Sequence, residues 1–526
     1  MAVLTTGCGL VDIDAGGSSD GAPRPDDMTI VVGEVAEVGD ADLVVNAAAV
    51  GAPFSRRLLG TNIPAWIGHF KHEEPWFAPS LELVGAELIR LPGGSWSNHY
   101  DWLACLDGDQ ERCFWHWATD VSDFLDIISL TDAEIMWTAS FNGTPEEAAG
   151  LVAFFNGDVD DDTVIGVDAN DRDWLTVGHW ASRRSDLGYP DPVRVQLWEI
   201  GNEIFGAEAD RGENCAEWGW ENVSTCDGAE YATGTTGQPG FLDYHAAMIA
   251  VDPTIEIGAV GVSPVDSWSN FGGEVLDLVG DELDFYVVHD YGFGGTPEED
   301  RALDIPSETW HETMTDYTAA LDAEGLADIP VAVTEYNMVA WHDADTDALM
   351  SRALNLFYLT DSIGEMAVSG VEMAAQWDMY GVPVSSGANY GMVHQDTAQV
   401  LPAFYSLRLW SLMGDTLVPV AVSDDLTAFA STSADGGVQI LVMNTTSSAQ
   451  TVTLRVDGID GDHRLLEDRA DADSLRSKVV RYNGAEAPTV LDIDPAPIDL
   501  GIVGDTFDHT FPAVSVTVLR LEPAAG

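Results

Sequence analysis

Between about Leu58 and Tyr380 the chain alternates short apolar runs with longer amphipathic segments. The runs are "LLGTNIPAWIG", "AELIRLPGG", "AEIMWTAS", "VRVQLWEIGNE", "IEIGAVGVSP", "LDFYVVHDYG", "IPVAVTEYN" and "VEMAAQWDMY", and each reads as a strand. The segments between them carry helix signals. "TPEEAAGLVAFFNG" has Thr144 in the N-cap position with Pro145 in the first turn. "GFLDYHAAMIAVDP" is stopped by Pro253. "TDALMSRALNLFYLTDSIGEMAVSG" has an apolar stripe that ends in a glycine. Strands separated by helices predict a parallel sheet wrapped by helices, and eight of them predict an α/β fold, a (β/α)8 TIM barrel.

After about Gly381 the texture changes. "LTAFASTSADGGVQILVMNTTSSAQTVTLRVDG" has short alternating strands with Gly, Asn and Ser turns, and "FPAVSVTVLRLE" ends the chain as another strand. This predicts a C-terminal β-sandwich domain. The early "MTIVVGEVAEVGDADLVVNAAA" also reads as strands, and its apolar face needs the sandwich as a partner. The expected organisation is a tether over 1–27, sandwich-joining strands over 28–57, the barrel over 58–400 and the sandwich over 401–526.

Composition narrows the setting. The 526 residues include 46% hydrophobic positions and 17 tryptophans, which implies packed cores and excludes a disordered acidic chain. Asp and Glu number 89 against 21 Lys and Arg, a formal net charge of -68, and Lys71 and Lys478 are the only lysines. At molar salt the Debye length falls to about 3 Å and self-repulsion is screened, so the composition fits work in brine. The same charge leaves no basic patch for nucleic acid. The densest acidic run, "NGDVDDDTVIGVDANDRD", fails as an EF-hand. Counted from Asp158, its sixth position is Thr163 and its twelfth Ala169, where Gly and Glu are required; a structural ion there stays open.

Five cysteines are present. Cys105 with Cys113, and Cys215 with Cys226, are spaced for short-loop disulfides in an oxidising compartment. Cys8 lies in "LTTGCGL", ahead of a Gly-, Ser-, Pro- and Asp-rich tether. That arrangement resembles a lipoprotein cleavage site and implies a lipid anchor at Cys8, although the seven residues before it are fewer than a signal h-region needs. No apolar run reaches transmembrane length, so attachment would be an anchor and not a span. "NVS" at Asn222 fits a glycosylation sequon. The expected location is extracellular or anchored at the cell surface.

Two of the apolar strands finish in a carboxylate with an asparagine beside it: Glu203 in "LWEIGNE" and Glu335 in "VAVTEYN". Catalytic groups of a TIM barrel sit at strand carboxyl ends. These motifs resemble the acid/base and nucleophile of glycoside hydrolase clan A. "LIRLPGGSWSNHYDW", "NGTPEEAAGLVAFFNG", "SDLGYPDPVRVQLWEIGNE", "VVHDY" and "FPAVSVTVLRL" extend the resemblance to the family 51 α-L-arabinofuranosidases. It implies a retaining glycosidase that needs no metal or organic cofactor, acting on plant cell-wall polysaccharide or its oligosaccharides.

Such enzymes hold their two carboxyls about 5–5.5 Å apart, one attacking the anomeric carbon and one protonating the leaving oxygen. Charges at that separation interact by about 3 kcal/mol at an effective dielectric of 20, so ionised Glu335 is expected to keep Glu203 protonated. The resemblance also places Arg90 beside the nucleophile and Asn202 on the sugar 2-hydroxyl. It assigns the sixth-strand end to His289 and Tyr291, with Tyr291 orienting Glu335. Gln376 supplies a sugar hydrogen bond and Trp377 a stacking wall. Two positions depart from the family. Ser95 stands where an Asn follows Pro-Gly-Gly, and the first strand lacks its furanose-binding carboxylate, with Asn62 the nearest polar substitute. These departures keep an endo-β-glucanase or xylanase-like enzyme as the alternative, and a non-catalytic surface carbohydrate-binding protein as the alternative of another class.

Overall fold

The computed structural model describes residues 29–30, 41–109, 111–113, 115–207, 219–422 and 426–524. Eight parallel strands close into a barrel: β1 (Gly60–Asn62), β2 (Leu88–Leu91), β3 (Glu134–Ala139), β4 (Leu197–Ile200), β5 (Glu256–Val260), β6 (Phe285–Phe293), β7 (Val331–Val339) and β8 (Met373–Gln376). β8 pairs with β1 to complete the ring. β1 is much shorter than its apolar run suggests. Pro64 has no N–H for the ladder, and the chain passes into a 3₁₀ turn at Ala65–Ile67.

The barrel interior shows how alternation builds a site. Leu88, Met136, Leu197, Val287 and Ala332 form one apolar cluster with Phe285 and Met373. Side chains two residues apart share a strand face. One step toward the carboxyl ends, the same inward columns therefore present Arg90, Thr138, Glu199, His289 and Thr334. The outward columns, among them Trp137 and Trp198, pack under the helices: Trp137 meets Phe124 at 5.4 Å and Phe155 at 4.9 Å between ring centroids. The helix Pro145–Asn156 starts at Thr144, whose hydroxyl accepts the Glu147 N–H at 3.1 Å. The helix Phe241–Val251 stops two residues before Pro253. The third expected helix begins only at Ala353, because the Asp345 carboxylate accepts the Leu349 and Met350 N–H groups and holds 349–351 as a separate turn.

Beyond the barrel two sheets face each other. Leu43–Asn46 lies in a five-stranded sheet, parallel to Gln450–Asp457 and antiparallel to Val420–Val422. Its partner is a nine-stranded sheet built around His463–Asp471, Ser515–Pro523 and Val438–Asn444. Leu43, Val45, Ile440, Val442, Leu454, Val456 and Leu519 fill the space between them. The Cys105–Cys113 disulfide is formed. Cys226 is also disulfide-bonded, while its expected partner Cys215 lies outside the described residues, as do Cys8 and the tether. The acidic run folds around Asp168, whose carboxylate accepts from Asn170 N, Arg172 N and Trp174 Nε1. Among the described residues no helix is long and apolar enough to cross a membrane.

Candidate active site

Glu203 stands just past β4. Gly201 turns the chain at φ 83°, where an added Cβ would lie 2.6 Å from the Ile204 side chain, and Glu203 itself adopts a left-handed φ of 43°. A non-glycine residue held there stores local strain, a feature common where a side chain must be aimed. Glu335 lies within β7, at a register shift that sets it opposite His289 of β6. Such irregularities re-aim side chains at barrel rims.

The two carboxylates meet across His289. Its Nδ1 is 2.9 Å from Glu203 Oε1 and 3.7 Å from Glu335 Oε2, and oxygens of the two glutamates come within 4.8 Å of each other. Both Glu335 oxygens receive donors: Arg90 Nη1 reaches Oε1 at 2.8 Å and the Tyr291 hydroxyl reaches Oε2 at 2.8 Å. Trp220 Nε1 donates to Glu203 Oε2. Arg90 is fully buried and also donates to Glu199 at 2.6 Å, Asn202 Oδ1 at 2.9 Å and Asn62 Oδ1 at 3.1 Å.

The electrostatics weigh against one expectation. Burial pushes the Glu203 carboxyl up, but the hydrogen bond and charge of His289, the Trp220 N–H and the Arg90 charge outweigh it and hold the group below the usual glutamate range. Burial drives the His289 imidazole down, and Glu335 and Glu203 more than reverse this. These opposite directions favour a proton on His289, hydrogen-bonded to Glu203, over the expected neutral Glu203. An imidazolium between two carboxylates is more favourable than a neutral acid facing an anion. Moving that proton along the short Nδ1–Oε1 contact regenerates the acid.

Two further expectations are corrected. Asn62 is fully buried, with Oδ1 on Arg90 and Nδ2 on the carbonyls of Thr334, Ala375 and Gln376, so its amide braces the barrel mouth and does not face a sugar. Gln376 is also fully buried, donating to the Tyr390 carbonyl at 3.0 Å and accepting from Thr61. Both sit at the carboxyl ends of β1 and β8, where neighbouring carbonyls, the Arg90 guanidinium and the Thr61 hydroxyl take up their polar atoms.

Ser95, Asn202, Glu203, His289, Tyr291, Glu335 and Trp377 all line one open cleft of about 420 Å³. Trp377 lies against the backbone of Gly94, where any Cβ would come within 2.4 Å of the indole. Tryptophans stand on both sides. Trp66 meets Trp377 at 5.6 Å and Trp96 at 5.3 Å, and Trp96 stacks on Trp115 at 3.9 Å. Opposite them, Trp220 contacts Trp268 at 5.4 Å and Trp341 at 5.6 Å.

A third carboxyl, Glu221, completes the site. It is buried and accepts from Ser95 Oγ at 2.7 Å, Asn202 Nδ2 at 2.9 Å and Asn98 Nδ2 at 2.9 Å. Burial, then the charge of Glu203, raises it to about 8. Sequence reasoning passed over it because it lies in an irregular segment after the acid/base motif. The one signal was a lone carboxylate inside "WGWENVS".

No protein-family model matches the chain. Over 240 residues it is 23% identical to an intracellular exo-α-(1→5)-L-arabinofuranosidase of Halalkalibacterium halodurans, a match covering 43% of this chain and only 41% of that protein. In structure it resembles the α-L-arabinofuranosidase of Thermotoga maritima, with a TM-score of 0.67 at 20% identity over 92% of this chain and 100% of that one. The xyloglucanase of Paenibacillus polymyxa, from glycoside hydrolase family 44, gives a TM-score of 0.58 at 15% identity, covering 91% of this chain and 99% of that one. Both structural likenesses establish a shared fold.

Proposed function

We propose that this protein is a retaining glycoside hydrolase that releases α-L-arabinofuranosyl units from plant cell-wall polysaccharide or oligosaccharides. The observation that carries this reading is the pair Glu203 and Glu335, with oxygens within 4.8 Å, the separation suited to double displacement. Glu335 attacks the anomeric carbon as the glycosidic C–O bond breaks, and the proton shared by His289 and Glu203 passes to the leaving oxygen. Esterified Glu335 carries no charge, so His289 loses the strongest influence favouring its proton, and the pair turns from donor to acceptor. Glu203 then takes a proton from water, whose oxygen bonds the anomeric carbon and frees Glu335. Tyr291 and Arg90 hold the attacking carboxylate, and in this reading Asn202, which lines the cleft while bonded to Arg90 and Glu221, meets the sugar 2-hydroxyl. The similarity to the arabinofuranosidase of H. halodurans supports the sugar choice.

A second reading is favoured by one feature. Tryptophans on both cleft walls, with Asn62 turned away from the sugar, suit an endo-acting enzyme on an extended β-linked glucan or xylan. The test is hydrolysis in molar NaCl. Release from an aryl α-L-arabinofuranoside supports the first reading, shortening of soluble β-glucan or xylan alone supports the second, and binding without release refutes both. The acidic surface and the Cys105–Cys113 disulfide support action outside the cell in brine, with a lipid anchor at Cys8 as the means of retention.

A further inference from the structure

We propose that Glu221 is a positioning residue: through Asn98 and Asn202 it fixes the backbone that aims Glu203 into the cleft. The inference rests on the reading of Glu203 as acid and base. Glu203 has a left-handed backbone, φ 43° and ψ 44°. Such a conformation costs a non-glycine residue energy and persists only where the surroundings over-determine it. Asn98, in the 3₁₀ turn Ser95–His99 after β2, supplies that restraint. Its Oδ1 accepts the Asn202 N–H at 3.1 Å, and its Nδ2 donates to the Asn202 carbonyl at 2.7 Å. That carbonyl belongs to the planar peptide link into Glu203, so the bond sets the plane from which the Glu203 φ is measured.

The two oxygens of Glu221 decide which way the amides face. Oε2 accepts from Asn98 Nδ2 at 2.9 Å, and Oε1 accepts from Asn202 Nδ2 at 2.9 Å and from Ser95 Oγ at 2.7 Å. An asparagine amide donates only through its nitrogen and accepts only through its oxygen. Turned over, Asn98 would set an N–H against the Asn202 N–H and an oxygen against the Asn202 carbonyl. An inverted Asn202 would set its nitrogen against the Arg90 guanidinium, from which Oδ1 now accepts at 2.9 Å. Glutamate presents an acceptor at both tips and so holds both amides in register. Glutamine, of the same size, must turn an NH₂ group toward one of these donors.

The same segment reaches Glu203 from its other end. Trp220, next to Glu221, donates Nε1 to Glu203 Oε2. The N–H groups of Trp220 and Glu221 both bond the Gly206 carbonyl, at 2.8 and 2.9 Å, which pins the pair against the turn Ile204–Gly206 that Glu203 caps. Adjacent residues thus hold Glu203 at its carboxyl directly and at its backbone by way of two amides. Glu221 is 1% exposed and acts from behind the wall that Ser95 and Asn202 present to the cleft. A misplacement of about 1 Å at a reacting group costs about 10²-fold in rate.

The test compares kcat/KM on phenyl and dinitrophenyl α-L-arabinofuranosides in molar NaCl. The phenyl leaving group needs a proton from Glu203 and the dinitrophenyl group does not, so a residue that aims the acid is felt unequally by the two. Glu221→Gln should lose about 10²-fold on the phenyl glycoside and no more than about tenfold on the dinitrophenyl one. Asn98→Ala removes the same restraint directly and should show the same split. The double variant should be no worse than the weaker single variant, since both act through one peptide. In a crystal structure of Glu221→Gln the Asn98 or Asn202 amide should be turned and the Glu203 carboxyl displaced from Trp220. Equal losses on the two glycosides, losses that multiply in the double variant, or a Glu221→Gln crystal structure with both amides and the left-handed Glu203 in place would each overturn the proposal. Wild-type protein that cleaves neither glycoside would overturn the arabinofuranosidase reading instead, and the crystal structure alone would then decide the positioning.

Discussion

Replacing Arg90 with Met removes a cation that bridges two buried carboxylates. Its nitrogens lie 2.6 Å from Glu199 and 2.8 Å from Glu335, and the Arg90 and Glu199 side chains are fully buried. With charge centres about 4 Å apart, each attraction is about 4 kcal/mol at an effective dielectric of 20, or about 8 for the two. Burying the ions takes back several kcal/mol of this. Loss of the guanidinium strands both carboxylates, and breaking such a buried pair costs about 3–5 kcal/mol. Arg90→Met should therefore melt well below the wild type. Adding Glu199→Gln removes one of the stranded charges and should recover part of the loss, without restoring turnover, because Glu335 Oε1 still lacks its donor. Loss of a preorganised donor at the reacting centre costs about 10²–10³ in kcat. The assay pairs melting in molar NaCl with turnover of an aryl α-L-arabinofuranoside for the two single variants and the double variant. Turnover of Arg90→Met within tenfold of wild type, or a double variant no more stable than Arg90→Met alone, would refute the reasoning.

Glu203→Ala should lose about 10²–10⁴ in rate on substrates with poor leaving groups, yet retain the first step on a dinitrophenyl glycoside, and added azide should speed its turnover; an equal loss on both substrates would remove Glu203 from the acid role. Glu221, raised to about 8 by burial and by Glu203, binds a proton in the folded protein that the unfolded chain releases near pH 4.3. Its contribution to stability is full below about pH 4 and is lost as pH rises through 8. Glu221→Gln keeps the shape without the charge, so its melting temperature relative to wild type should rise from about pH 5 to 9, and parallel profiles would contradict the shift. His289→Asn removes the imidazolium that holds Glu203 down, so the Glu203 carboxyl should titrate higher than in the wild type. The check is the pH dependence of kcat/KM, and an unmoved profile would place the shared proton elsewhere.

The barrel was legible because each strand announces itself as an apolar run closed by polar residues, and because two runs end in a carboxylate. Arg90, His289 and Tyr291 were legible only through the resemblance of their motifs to clan A; in the fold Arg90 and His289 lie on inward columns one layer above Leu88 and Val287, and Tyr291 one layer further. Asn62 and Gln376 were misassigned because a position at a strand end does not say whether an amide faces the cleft or the carbonyls of its neighbours, and here the backbone claims both. The site of the catalytic proton was also hidden. It depends on His289 standing between Glu203 and Glu335, a placement created by the register shift in β7 that no periodicity encodes. Glu221 belongs to an irregular segment, where contacts with Ser95, Asn98 and Asn202 are long-range or turn-dependent.

The account rests on Glu335 forming a glycosyl ester while Glu203 serves first as acid and then as base. The anomeric configuration of the first-formed sugar, followed by proton NMR before mutarotation, tests this most directly. Net retention is the predicted result; release of the inverted anomer would mean that water attacks the substrate itself and that the close carboxyl pair does not act by double displacement.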